Sequence, residues 1–196
     1  SDSVTMPALR QWLPVVYICI LLLILQLLGP ELLRYDSRLI QNHQLWRFVS
    51  GHWVHANWTH FLLNITGFVL CLALTGVRWS VWQWSWRIII LSIAISCAFS
   101  LWQPQLGWYV GFSGVLFGLY VLAAVASLPE QRLMSVILLL FIGLKIILEQ
   151  WSSVNISSSD LIGIPVLVDA HLYGVLSALL MITVQIVINK FIYPNI

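Results

Sequence analysis

Six apolar segments separated by polar links constrain this chain more than anything else in it. They run from about Leu13 to Leu28, Asn57 to Thr75, Trp82 to Leu101, Ser113 to Leu128, Leu133 to Glu149 and Ala170 to Phe191. At about 1.5 Å of rise per residue, each is long enough as a helix to cross or nearly cross about 30 Å of hydrocarbon. The punctuation agrees: Gly29-Pro30 closes the first segment, and Pro104 and Pro129 follow the third and fourth. No segment alternates with the period of two that a membrane β-barrel requires, and no repeat of fixed period is present. Of 196 residues, 60% are hydrophobic and only 8% are charged. Nine Lys+Arg and seven Asp+Glu cannot cover a water-facing surface, and a net charge of +2 offers no field for a nucleic acid. The chain therefore reads as one all-α polytopic membrane domain over residues 1–196. Its eleven Trp and six Tyr suit the interfacial belts of a bilayer.

The links differ in character. Residues 29–56 are polar and too long for a minimal connection, so they are expected to carry structure of their own. Six spans put both termini on one side. With that side cytoplasmic, Arg10, Arg78, Arg87, Arg132 and Lys190 fall inside, and Arg34, Arg38 and Arg47 outside, a bias toward cytoplasmic termini. Cys19, Cys71 and Cys97 all lie in apolar stretches and read as small buried hydrophobes rather than as a disulfide framework. The start, Ser1-Asp2-Ser3, has no basic region and leads to no small-residue cleavage site, so it is not read as a cleavable signal. The missing initiator Met suggests either that the first few residues are an addition or that Met6 is the natural start.

Polar groups inside a span are expensive and ask for a reason. His60 and Asn64 sit four apart on one face of the second segment. Ser113 opens the fourth, within Gly111-Phe112-Ser113-Gly114. His171 opens the sixth, ahead of Gly174. Under the topology above, all lie at the outer ends of their helices. A serine hydroxyl needs a base to become a nucleophile, and His171 is the histidine outside residues 43–60. The His60 ring N–H, the Asn64 amide and the Ser113 backbone N–H are candidate donors to an oxyanion. Asp169 is two residues before His171, roughly 200° round a helix, and should not reach its ring. No other carboxylate presents itself as a third member. Gly114 with Gly118, and Gly174 with Ala178, form small faces that let two helices approach closely. Phe117, one turn after Ser113, is placed to lie against the imidazole. Each feature alone is commonly mere packing; the ordered conjunction on three spans is not.

These residues together resemble the rhomboid intramembrane serine proteases. Trp46-Arg47 resembles the WR motif of their first loop. His55, His60 and Asn64, in HANWTHFLLN, resemble their second-span pattern. GFSGVLFG at residues 111–118 is similar to GxSGxxxG, and AHLYG at residues 170–174 to AHxxG. The resemblance covers nearly the whole chain. It implies a six-transmembrane-helix bundle with a long structured first loop lying partly in the membrane, shaped by Trp46 and Arg47. It implies Ser113 as nucleophile, His171 as base and acid in a dyad without a carboxylate, and His60 and Asn64 as the oxyanion hole. Supporting positions are His55, Gly111, Gly114, Phe117, Gly118 and Gly174. Many relatives carry Tyr where Phe117 stands; stacking is kept and a hydroxyl lost, and activity is expected to survive. No cofactor or metal is implied.

The minimal length, the run RLIQNHQLWRFVSGHWVHANWTH and AHLYG resemble the bacterial rhombosortases more narrowly. That likeness implies exported substrates whose C-terminal tail has a glycine-rich motif, one span and basic residues. It also implies an inner-membrane location with the site opening to the periplasm. The partners so implied are transmembrane proteins and membrane lipid, with no nucleic acid, and the sequence sets no oligomeric state. Other features compete for a role. His52 and His55 form an HxxH near His43, which suggests zinc or, more simply, loop hydrogen bonding. Lys145 and Glu149 read as a helix-end ion pair rather than an ion relay. Asn57, Asn64 and Asn155 begin formal sequons that are assigned no role. Rival classes are a proteolytically silent escort, disfavoured because Ser113 and His171 are both present, and a small transporter. A transporter would place its polar groups at the midplane.

Overall fold

The computed structural model describes residues 10–151, 162–163 and 165–192. Met6 and the residues before it, the Asn155 sequon and the Ser157–Ser159 run lie outside them. Among the described residues the chain is a bundle of helices. In chain order these are α1 (Leu13–Leu28), α2 (Pro30–Leu33), α3 (Ser37–Gln41), α4 (Arg47–Ser50), α5 (Trp58–Thr75), α6 (Val81–Trp102), α7 (Ser113–Ser127), α8 (Arg132–Trp151) and α9 (Asp169–Ile192). Two strands, β1 (Tyr35–Asp36) and β2 (Trp108–Tyr109), pair antiparallel with Tyr35 opposite Tyr109. Four helices, α5, α6, α8 and α9, are long and apolar enough to cross a membrane, while α1 and α7 are shorter apolar helices.

Local chemistry sets the helix ends. The Asn57 side chain accepts from the His60 N–H at 2.9 Å and starts α5, which stops at Gly76 in the left-handed region (φ +62°). A reciprocal capping box between Ser80 and Gln83 starts α6. The long first link is structured: it holds α2, β1, α3 and α4. The Asp36 carboxylate caps α3 by accepting from the Arg38 and Leu39 N–H groups. Arg47 is buried and donates to the Gln44 side chain at 2.8 Å and to the Arg34 carbonyl at 2.7 Å, tying α4 to the start of the link. Its neighbour Trp46 is exposed.

Helix α7 is the centre of the bundle, packed on α5, α6, α8 and above all α9. It has 15 residues, so it rises only about 22 Å and is mostly hidden from lipid by its neighbours. Phe68, Trp84, Phe99 and Phe112 are fully buried around it, with Phe68 edge-on to both Trp84 and Phe112. The outward faces of α1, α8 and α9 expose leucine, isoleucine, valine and phenylalanine, as a lipid-facing surface should.

Candidate active site

Four helix ends meet at one place: the starts of α5, α7 and α9 and the end of α8. Ser113 is the first residue of α7, reached from β2 through Val110-Gly111-Phe112. Gly111 has φ +134°, and a Cβ on it would stand 2.9 Å from the His60 ring. Only glycine lets the chain turn there against that histidine. His171 comes from the first turn of α9. Its Nε2 lies 3.0 Å from Ser113 Oγ. Phe117, one turn along α7, stacks on the imidazole at 4.3 Å between centroids.

Close helix packing produces that contact. A Cβ on Gly114 would lie 2.7 Å from the Ala170 carbonyl oxygen, and one on Gly118 would lie 2.8 Å from that of Gly174. A Cβ on Gly174 would run into the Gly114 carbonyl oxygen. The two backbones touch, as the small-residue spacing predicts.

His60 and Asn64 line the same hollow as Ser113 and His171, a pocket of about 360 Å³. The Asn64 amide donates one N–H to the His60 carbonyl at 2.9 Å, and a second amide hydrogen is left for another acceptor. His55 is fully buried; its ring lies edge-on to His60 at 5.0 Å and to Phe61 at 5.4 Å. Gln26 of α1 holds the His55 backbone from both sides, donating to its carbonyl at 3.0 Å and accepting from its N–H at 2.8 Å. A second, largely apolar pocket of about 350 Å³ runs from His60 and Ser113 past Leu106 and Trp108 to Pro165–Leu167.

The His52 ring bonds Ser96 Oγ at 2.9 Å and stacks on Phe99, while the His55 ring lies against His60 and Phe61. Among the described residues no three His, Cys, Asp or Glu side chains group as metal ligands. Asp169 points elsewhere, accepting from the Gln103 amide just past the end of α6. The expectation that no carboxylate reaches the histidine is corrected by the structure. Glu149, at the end of α8, places Oε2 2.9 Å from His171 Nδ1, while its Oε1 takes Lys145 Nζ at 2.6 Å. The i,i+4 pair read from the sequence exists, and it faces inward as well as along its own helix.

A hydroxyl bonded to an imidazole whose far nitrogen faces a carboxylate can lose its proton to the ring as it attacks a carbonyl. A family model for the Rhomboid domain matches residues 42–187, three quarters of the chain, with Ser113, His171, Glu149, His60 and Asn64 among them. The chain belongs to the rhomboid family. No significant match was found among curated proteins or among solved structures. With its apolar helices, this rhomboid is an integral membrane protein.

Besides Glu149, two residues at the site of this rhomboid escaped the sequence reading. Tyr109 donates to the Gly111 carbonyl at 2.9 Å and also interacts with Ser113. Burial pushes its phenol well above the usual range, which keeps it a donor. The residue pair Trp108-Tyr109 directly before GFSG was the available signal. Gln26 was the other, a single amide in an otherwise apolar first span.

Proposed function

We propose that this rhomboid is an intramembrane serine protease with Ser113 as nucleophile and His171 as general base and acid. The observation that carries the reading is the 3.0 Å separation of Ser113 Oγ and His171 Nε2 across two helices in backbone contact. The Ser113 proton passes to Nε2 as the Oγ–carbon bond forms, and the carbonyl π pair moves onto oxygen. Asn64, His60 and the Ser113 N–H at the start of α7 surround the pocket where that oxyanion sits. The Nε2 proton then goes to the leaving amine as the C–N bond breaks. Water repeats the sequence on the acyl-enzyme, returning a carboxylate product and free Ser113.

Six spans with cytoplasmic termini would open this site toward the periplasm. A substrate's transmembrane segment would enter laterally and unwind, because a helix keeps its carbonyls bonded and hidden. The two pockets meet at Ser113 and His60, so an extended peptide lying across both would present its scissile carbonyl there. Rhombosortase-type substrates suit such a site, since glycines weaken the helix to be opened. The test is labelling of the detergent-solubilised chain by a fluorophosphonate, beside Ser113→Ala and His171→Ala, followed by cleavage of a glycine-rich single-span C-terminal tail. Labelling that both substitutions remove is expected. A folded wild type that neither labels nor cleaves overturns the reading.

A further inference from the structure

We propose that Glu149, held by Lys145, is the positioning residue of this site, joining serine, histidine and carboxylate in one relay across three helices. The inference rests on the protease reading. An ionised carboxylate only accepts hydrogen bonds. With Glu149 Oε2 at 2.9 Å, His171 Nδ1 must carry the ring hydrogen. Nε2 is then left with its lone pair toward Ser113 Oγ, the tautomer that a general base needs. Phe117 fixes the plane of the ring, and Glu149 fixes its rotation within that plane. When the ring takes up the serine proton, Glu149 is the anion already beside the new charge.

Lys145 answers a second requirement. The Glu149 side chain is 2% exposed and that of His171 6% exposed. A carboxylate so nearly dry, facing only a neutral ring, is most easily satisfied by drawing a proton permanently onto that ring. His171 would then be no base. Lys145, one turn earlier on α8, supplies a cation at 2.6 Å, so the Glu149 carboxylate has a countercharge other than the ring. Among the described residues, the other groups around the ring are His60 from α5 and Tyr109 beside Ser113 from β2. Asp169, on α9 itself, is engaged by Gln103.

The experiment is the second-order rate of labelling by an alkyl fluorophosphonate, measured from pH 5 to 9 on the full chain in detergent. Labelling amplitude and thermal stability are recorded for each variant. Glu149→Gln is expected to slow labelling by about 10²–10⁴-fold and to move the acidic limb to lower pH, since the imidazolium has lost its countercharge. Glu149→Asp recovers part of the rate. Lys145→Met moves the limb the opposite way, to higher pH, since the carboxylate beside the ring has lost its other countercharge. A merely structural role would lower amplitude and stability while leaving the limb in place. Wild-type rate and limb in Glu149→Gln, with His171→Ala inactive, overturn this inference and leave the protease reading standing. Limb shifts of the same sign in both variants also overturn it. A folded wild type that never labels overturns both.

Discussion

The Phe117 ring lies flat on the His171 imidazole, with planes 9° from parallel. Helix α7 therefore carries both Ser113 and the ring that braces His171, one turn apart. Such stacking is worth about 0.5–1.5 kcal/mol. Phe117→Ala is expected to cut turnover roughly 3- to 10-fold by freeing the ring to tilt, whereas Phe117→Tyr keeps the brace and most of the rate. The check is steady-state cleavage of a single-span substrate in proteoliposomes. A faster Ala than Tyr variant would contradict the bracing role.

The contact of α7 and α9 leaves no room at Gly174, because a Cβ there runs into the Gly114 carbonyl oxygen. Backbone cannot yield as a side chain tip can. Gly174→Val is expected to push α9 outward, separate His171 from Ser113 and abolish activity, with a lowered unfolding temperature. Gly143 is the control, since a Cβ there meets nothing within 4 Å. Gly143→Ala should retain activity and stability. Full activity in Gly174→Val would sink the close-packing argument.

Asn64 is buried beside Ser113, with one amide hydrogen given to the His60 carbonyl. If the other meets the oxyanion, Asn64→Ala lowers kcat by about 10²–10³-fold while substrate binding changes little. Single-turnover cleavage separates the two. Unchanged kcat would remove Asn64 from the oxyanion hole.

The helix ends fall within about two residues of the apolar segments read from the sequence, because lipid demands internally bonded backbone and hydropathy reports that directly. Ser113, His171, His60 and Asn64 were legible for the same reason: polar groups are conspicuous in apolar helices. The glycines that bring them together were legible from their spacing. Glu149 was not, since Lys145 one turn away already explained it, and nothing in one helix's sequence says which neighbour its other oxygen meets. Gln26 was illegible because its partner is the backbone of a loop 29 residues on. Strands of two residues, as at Tyr35 and Trp108, are too short to show a period.

Two histidines of the first link make folding sensitive to acid. His52 and His55 are fully buried, and burial lowers each from 6.5 to about 3, with His60 adding to the effect at His55. Between those values the unfolded chain binds protons that the folded chain refuses. Stability is therefore complete above about pH 6.5 and declines as the pH falls toward 3. The slope approaches about 1.4 kcal/mol per pH unit for each histidine. Thermal unfolding in detergent should show a lower midpoint at pH 5 than at pH 7.5. His52→Gln keeps an amide near Ser96 and removes one titration, so its midpoint should fall by less over the same interval. A wild-type midpoint equal at the two pH values would show that these rings are protonated in the folded protein.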